Sequence, residues 1–311
     1  MQVVEHLTRA ALAAAQDDTS TALERAQMLM ELAMGLQRRP KTPEHLEAAI
    51  KLYEEALALC PAEDRLLAAR ITARQATALQ AVPNQGRVPI EQARAAFEQA
   101  IPVLAELGRA EERAEAELNL GLCLQHLAGS GHARITDAIA AYQRALATFD
   151  VKRFPVEFAI LQNNLATAFL SMPVSDERGK IREALAVQCF EEGLKVVDLV
   201  HHPSEYAMLQ NNLGNALQYA SSSHAAENNA RALIAYDEAL KVRSRTATPL
   251  EYANTISNKA NCLWNLGHLE EAKRLYQEAH EIFAGAGDGE KARMVAEALT
   301  RIAGDLLAAG S

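Results

Sequence analysis

The chain has 311 residues, is 49% hydrophobic yet only 5% aromatic, and carries a formal charge of -9. About sixty residues are alanine, roughly twice the ordinary share, which favours helix, argues against a β-sandwich or barrel, and leaves too much apolar matter for disorder. The acidic balance argues against wholesale phosphate neutralisation, so no nucleic-acid partner is expected.

The first predicted helix covers residues 2–16. Glu5, His6, Thr8 and Arg9 break any apolar run there, so a signal peptide is not expected. No stretch approaches the ~18 uncharged apolar residues of a membrane span, so no membrane partner is expected either. Cys60, Cys123, Cys189 and Cys262 lie far apart without a C-x-x-C pair. That predicts neither a zinc site nor a disulfide framework, and fits a reduced, cytoplasmic protein.

From residue 20 onward the chain repeats itself. The spacing predicts an A helix, a loop and a B helix six times over. The A helices are expected at 20–38, 63–81, 110–128, 155–171, 203–220 and 249–266. The B helices are expected at 44–59, 89–107, 134–149, 179–199, 228–243 and 269–283, and a last helix at 289–309. Each B helix carries Ala, then an aromatic four residues on, then a small residue three further. The aromatics are Tyr53, Phe97, Tyr142, Phe190, Tyr236 and Tyr276, spaced 44, 45, 48, 46 and 40 residues apart. That spacing places all three side chains on one helical face, where small residues admit a neighbouring helix and the aromatic fills the gap.

Three A helices open alike, with Pro155-Val-Glu-Phe, Pro203-Ser-Glu-Tyr and Pro249-Leu-Glu-Tyr. Proline at the first helical position loses only an N–H that would be unpaired anyway, and the following Glu meets the positive end of the helix dipole. Breakers separate the elements at Arg39-Pro40-Lys41, Pro83-Asn-Gln-Gly86, Gly129-Ser-Gly131, Met172-Pro173 and Ser221-Ser-Ser223. Pro102 is expected to kink or end the second B helix near Ile101.

A length prior suggests two domains. Helix pairs that share a continuous core argue instead for one array: an all-α, right-handed α-solenoid. Its parts are an N-terminal capping helix (1–19), six repeats (about 20–61, 62–108, 109–152, 153–201, 202–247 and 248–285) and a C-terminal capping helix (286–311).

The last pair, Ala260-Asn-Cys-Leu-Trp-Asn-Leu-Gly267 leading to Ala272-Lys-Arg-Leu-Tyr276-Gln-Glu-Ala279, resembles the tetratricopeptide repeat (TPR) family. The Leu-Gln-Asn-Asn-Leu segments at 161–165 and 209–213 are similar to kinesin-light-chain-type and bacterial long-repeat TPR proteins. The resemblance implies a concave groove lined by A helices. Its exposed positions are Gln125, Asn163, Thr167, Met208, Asn211, Asn215, Gln218, Tyr219, Asn254, Asn261 and Trp264. Asn, Gln, Ser and Thr dominate where a solvated face would carry Lys and Glu. Amides both donate and accept, so such a ladder suits the backbone of an extended peptide. The second Asn of each copy, Asn119, Asn164, Asn212 or Asn258, is read as holding adjacent repeats in register. Trp264 stands open between groove anchor and inter-repeat packing. A chaperone-type carboxylate clamp is incomplete: Arg70 and Arg74 fit, but Glu31 stands where asparagine is needed. Arg65, Arg70 and Arg74 form a basic stripe, read as a solvated face with an acidic partner segment as the alternative.

Catalysis finds no support. Gly285-Ala-Gly287-Asp-Gly289 follows a helix and lacks the phosphate-loop spacing. His201-His202 has no further ligand placed by sequence. No G-x-S-x-G or H-E-x-x-H motif occurs. The expectation is a non-enzymatic adaptor without cofactor or metal, binding a peptide segment of a partner protein in the concave groove. The alternative is an assembly scaffold or regulator acting through its outer face or by self-association.

Overall fold

The computed structural model describes residues 2–16, 20–38, 40–83, 86–172, 178–221 and 224–309. Among these it is helical, without strands. Arg39, Asn84, Gln85, Pro173, Ser222 and Ser223, placed in connections by sequence, lie outside the described residues.

The helices gather into two compact units, residues 1–150 and 151–311. The first holds α1 (Gln2–Ala14), α2 (Ala22–Arg38), α3 (Pro43–Leu59), α4 (Arg65–Ala81), α5 (Arg87–Leu107), α6 (Ala110–Gly129) and α7 (Ile135–Leu146). In the second are α8 (Pro155–Leu170), α9 (Arg178–Leu194), α10 (Pro203–Gln218), α11 (Ala225–Leu240), α12 (Pro249–Asn265), α13 (Leu269–Gly285) and α14 (Gly289–Ala309). Helices pack in sequential pairs: α2 on α3, α4 on α5 and α6 on α7 in the first unit; α8 on α9, α10 on α11 and α12 on α13 in the second. Each unit is a stretch of α-solenoid. Helix α1 lies against α3 and α2, and α14 continues the second unit against α13. Successive A helices also touch, α2 with α4 and α4 with α6, then α8 with α10 and α10 with α12. Successive B helices show no comparable packing among the described residues, so within each unit the A helices form the inner layer.

The B-helix triplets build the core. Tyr53, Phe97, Tyr142, Phe190, Tyr236 and Tyr276 are all buried, as are their flanking alanines. Burying each ring contributes about 2–3 kcal/mol of transfer free energy. The small A-helix residue opposite is a steric necessity. A methyl group on Gly214 would lie 2.6 Å from the Tyr236 ring, and one on Gly121 would overlap the Tyr142 ring. Gly267, at φ +83°, turns the chain out of α12 into α13; there the His268 N–H closes on the Leu263 carbonyl at 2.9 Å.

Two expectations need correction. Helix α5 does not end near Ile101 but runs through Pro102 to Leu107. The lost hydrogen bond is the one to the Glu98 carbonyl, and Glu98 and Pro102 are both exposed, so the gap in the ladder falls on the solvent side of the helix. Phe97, Ala100 and Leu104 meanwhile hold both halves of the helix in the core. Helix α9 stops at Leu194 rather than 199; Asp198 then folds the connection by accepting the backbone N–H groups of Val200 and His201, each at 2.8 Å.

Candidate functional site

The inner face of the second unit is built from α8, α10 and α12. Each begins with its proline at the first helical position, so the three run in one register. Residues spaced 3, 7, 10 and 14 from the third position lie along one face. On α8 these are Glu157, Ile160, Asn164, Thr167 and Ser171. On α10 they are Glu205, Met208, Asn212, Asn215 and Tyr219, and on α12 Glu251, Asn254, Asn258, Asn261 and Asn265.

Asn258 and the asparagines of the two Asn-Asn pairs form one directed relay across the three helices. Asn258 Nδ2 donates to Asn211 Oδ1 at 3.4 Å, and Asn211 Nδ2 to Asn212 Oδ1 at 3.1 Å. Asn212 Nδ2 donates to Asn163 Oδ1 at 2.8 Å, and Asn163 Nδ2 to Asn164 Oδ1 at 3.2 Å. Asn163, Asn164 and Asn211 are buried. Asn163 and Asn211, placed in the groove by sequence, thus share one network with Asn164, Asn212 and Asn258, placed in register-keeping.

A second set of amides serves the core tyrosines. Tyr236 Oη lies 2.8 Å from both Asn215 Oδ1 and Gln218 Oε1 and shares its one proton between them, and Tyr276 Oη donates to Asn261. In the first unit Tyr142 Oη donates to Gln125 Oε1 at 2.8 Å and Tyr53 Oη to Gln37 Oε1 at 2.7 Å. Sequence reading missed Gln37. Its signal was its place four residues after Ala33, the place Gln125 holds after Gly121. Burial pushes the phenols of Tyr53, Tyr142, Tyr236 and Tyr276 upward, so they remain hydroxyl donors at neutral pH.

The remaining candidates are placed as follows. Thr167 Oγ1 donates to the Asn164 carbonyl at 3.0 Å. Met208 and Asn254 are half-buried. Trp264 is engaged by α14: its indole N–H donates to Asp305 at 2.8 Å, the Arg301 guanidinium lies 5.1 Å over its ring, and it meets Tyr276 edge-on. Asn215 and the 66%-exposed Tyr219 line a cleft of about 300 Å³ with Phe169, Leu170 and Met172.

The first unit's inner face is ionic instead. Arg65, Arg70 and Arg74, read as a solvated stripe, pair with Glu106 at 2.8 Å and with Glu112 and Glu115 at 3.0 Å. Glu106 lies on α5, the helix paired with α4 in the same repeat, while Glu112 and Glu115 belong to the chain's own next repeat, on α6. Asn119 Nδ2 there donates back to the Glu115 carbonyl at 3.0 Å. Among the described residues no group of three or more His, Cys, Asp or Glu is placed to hold a metal, and no helix is long and apolar enough to cross a membrane.

No family model matches the chain, and no curated protein does. Solved structures do match. BtubC (BKLC) from P. vanneervenii is similar at 19% identity and TM-score 0.53, covering 87% of this chain and 94% of its own. A Rap protein complexed with competence and sporulation factor covers 93% of this chain and 78% of its own, at 14% identity and TM-score 0.48. The first likeness shows the fold, a TPR-like helical repeat.

Proposed function

We propose that the chain is a non-enzymatic adaptor of the bacterial cytoplasm, a kinesin-light-chain-type repeat protein that holds an extended segment of a partner protein against the inner face of its second unit. One observation carries this reading. Of the four charged residues on α8, α10 and α12, only Lys259 is a cation, and it is tied to Asp237 at 2.6 Å. Beyond the glutamates Glu157, Glu205 and Glu251 at its N-terminal end, the inner stripe is amide, hydroxyl and apolar side chain, a surface that offers donors and acceptors to a peptide backbone. The relay and the tyrosine bonds use one donor or acceptor of most of these amides. That pre-orients the others and lowers the entropy lost on binding.

Peptides selected by display against the full chain test this. Hydrogen exchange with a bound peptide should slow within 160–172, 208–219 and 254–265. Protection confined to α9 and α11 would place binding on the outer face and overturn the reading.

A further inference from the structure

The cleft at the C-terminal ends of α8 and α10 has the character of a side-chain pocket. Phe169, Leu170, Met172 and Tyr219 supply apolar wall. Its two charged wall residues are already engaged: Glu183 accepts the backbone N–H and hydroxyl of Ser221 at 2.8 and 3.0 Å, and Arg182 has a partner of its own. Asn215 at the rim has its Oδ1 held by Tyr236, while its Nδ2 makes no hydrogen bond among the described residues. The cleft therefore offers apolar surface plus one fixed N–H donor, which suits a large uncharged side chain with its own backbone carbonyl over Asn215.

The opposite end of the same three helices has one sign of charge. Glu157, Glu205 and Glu251 occupy the same position in α8, α10 and α12. None of the three carboxylates makes a hydrogen bond or ion pair among the described residues. Nor are they spent as Glu112 is, whose carboxylate accepts the Arg109 backbone N–H at the start of α6. Cations on or next to these helices have other partners. Arg243, which feels the Glu251 charge, donates to Thr255 at 2.8 Å; Arg153 lies over Phe154; Lys259 is held by Asp237. Packed helices stand about 8–10 Å apart, close to a Debye length at physiological salt, so the field of Glu205 overlaps those of Glu157 and Glu251 on the helices beside it.

On this charge complementarity, and resting on the inner-face reading above, we propose that the segment bound by the second unit is basic and apolar. A Lys or Arg lies against the Glu row, uncharged residues cross the amide stripe, and a large apolar side chain fills the Phe169–Tyr219 cleft. Ten residues separate Glu205 from Asn215, about 15 Å of helix, which an extended chain spans in about four or five residues. That sets the separation between the basic and apolar residues.

Random linear peptides displayed on phage and selected against the full chain supply the probe; the enriched peptides are then synthesised, labelled and titrated by anisotropy. Enrichment of Lys or Arg about four or five residues from a large apolar residue is expected. The triple variant Glu157→Gln, Glu205→Gln, Glu251→Gln should weaken binding about tenfold, the sum expected of a few rim charge pairs, and added salt should weaken it further. Tyr219→Ala should abolish the apolar preference. The variant Met208→Arg, mid-stripe on α10, separates this proposal from the reading beneath it. Binding that Met208→Arg destroys but the triple variant leaves intact overturns the basic-segment proposal alone. If enriched peptides are acidic, that also overturns it alone. Binding insensitive to Met208→Arg, or no enrichment at all, overturns both. Circular dichroism of each variant guards against misfolding, and Glu205→Asp, keeping the charge, should bind close to the parent.

Discussion

The side-chain amide of Asn212 on α10 donates to the Oδ1 of Asn163 on α8, 49 residues earlier, at 2.8 Å. This bond is the middle link of the relay from Asn258 to Asn164, and it joins two A helices through side chains rather than backbone. Removing Asn212 leaves the buried Asn163 oxygen without this donor, which costs about 1–3 kcal/mol. Asn212→Ala should lower unfolding stability by that amount in denaturant titration. Asn119→Ala should cost less, because Asn119 Nδ2 bonds only within its own helix, to Glu115. Equal losses would deny the relay a role in joining repeats.

Glycine positions offer a test with opposite signs. Gly214 sits under the Tyr236 ring, so Gly214→Ala forces the ring or helix to shift and should destabilise by about 1–3 kcal/mol. Gly35, inside α2, has nothing beyond its chain neighbours and its own helix backbone within 4 Å of where a Cβ would stand. Gly35→Ala should stabilise by about 0.5–1 kcal/mol through helix propensity alone. Thermal unfolding of the two variants checks both signs.

The thiols should label in a fixed order. Burial pushes Cys123 up to about 12 and Cys189 and Cys262 to about 11. Burial also raises Cys60, though Cys60 is partly exposed. The thiolate is the reactive form, so at pH 8 a disulfide reagent should modify Cys60 first. Cys123 should wait for unfolding. Early labelling of Cys123 in native protein would contradict its complete burial on α6.

Acid should weaken the first unit through Glu112. Burial raises its carboxyl, but the Arg109 backbone N–H and the Arg70 guanidinium outweigh burial and hold it below the ordinary value. A depressed carboxylate contributes stability above its unfolded pKa and loses it as pH falls through the folded value. Unfolding stability should therefore decline as pH drops below about 4.5. Arg70→Ala should flatten that decline, measured as the pH slope of the denaturation midpoint.

The legible part of this protein is the part governed by short-range rules. Proline starts, Ala-aromatic-small triplets and glycine breaks act within one or two helical turns, and the helices, their pairing and their buried ring positions follow from them. Pro102 marks the limit of that logic: the local rule ends the helix, while the core contacts of Phe97 and Leu104 carry it on. The inner-face positions of Asn215, Gln218 and Asn261 were legible through the repeat register, but their bonds to Tyr236 and Tyr276 were not.

What the amino-acid sequence determined alone is therefore a chain of amphipathic helix pairs with one ring per pair between them. Only the tertiary structure decided what the inner-face polar groups do. It paired Arg65 with Glu106 on α5 and Arg70 and Arg74 with the next repeat's glutamates, threaded the second unit's asparagines into one relay, and set Trp264 against α14. These partners lie about forty to fifty residues apart in sequence. Whether they meet depends on the offset between stacked helices, and that offset comes from how rings and small residues pack, which no periodicity within a single helix encodes.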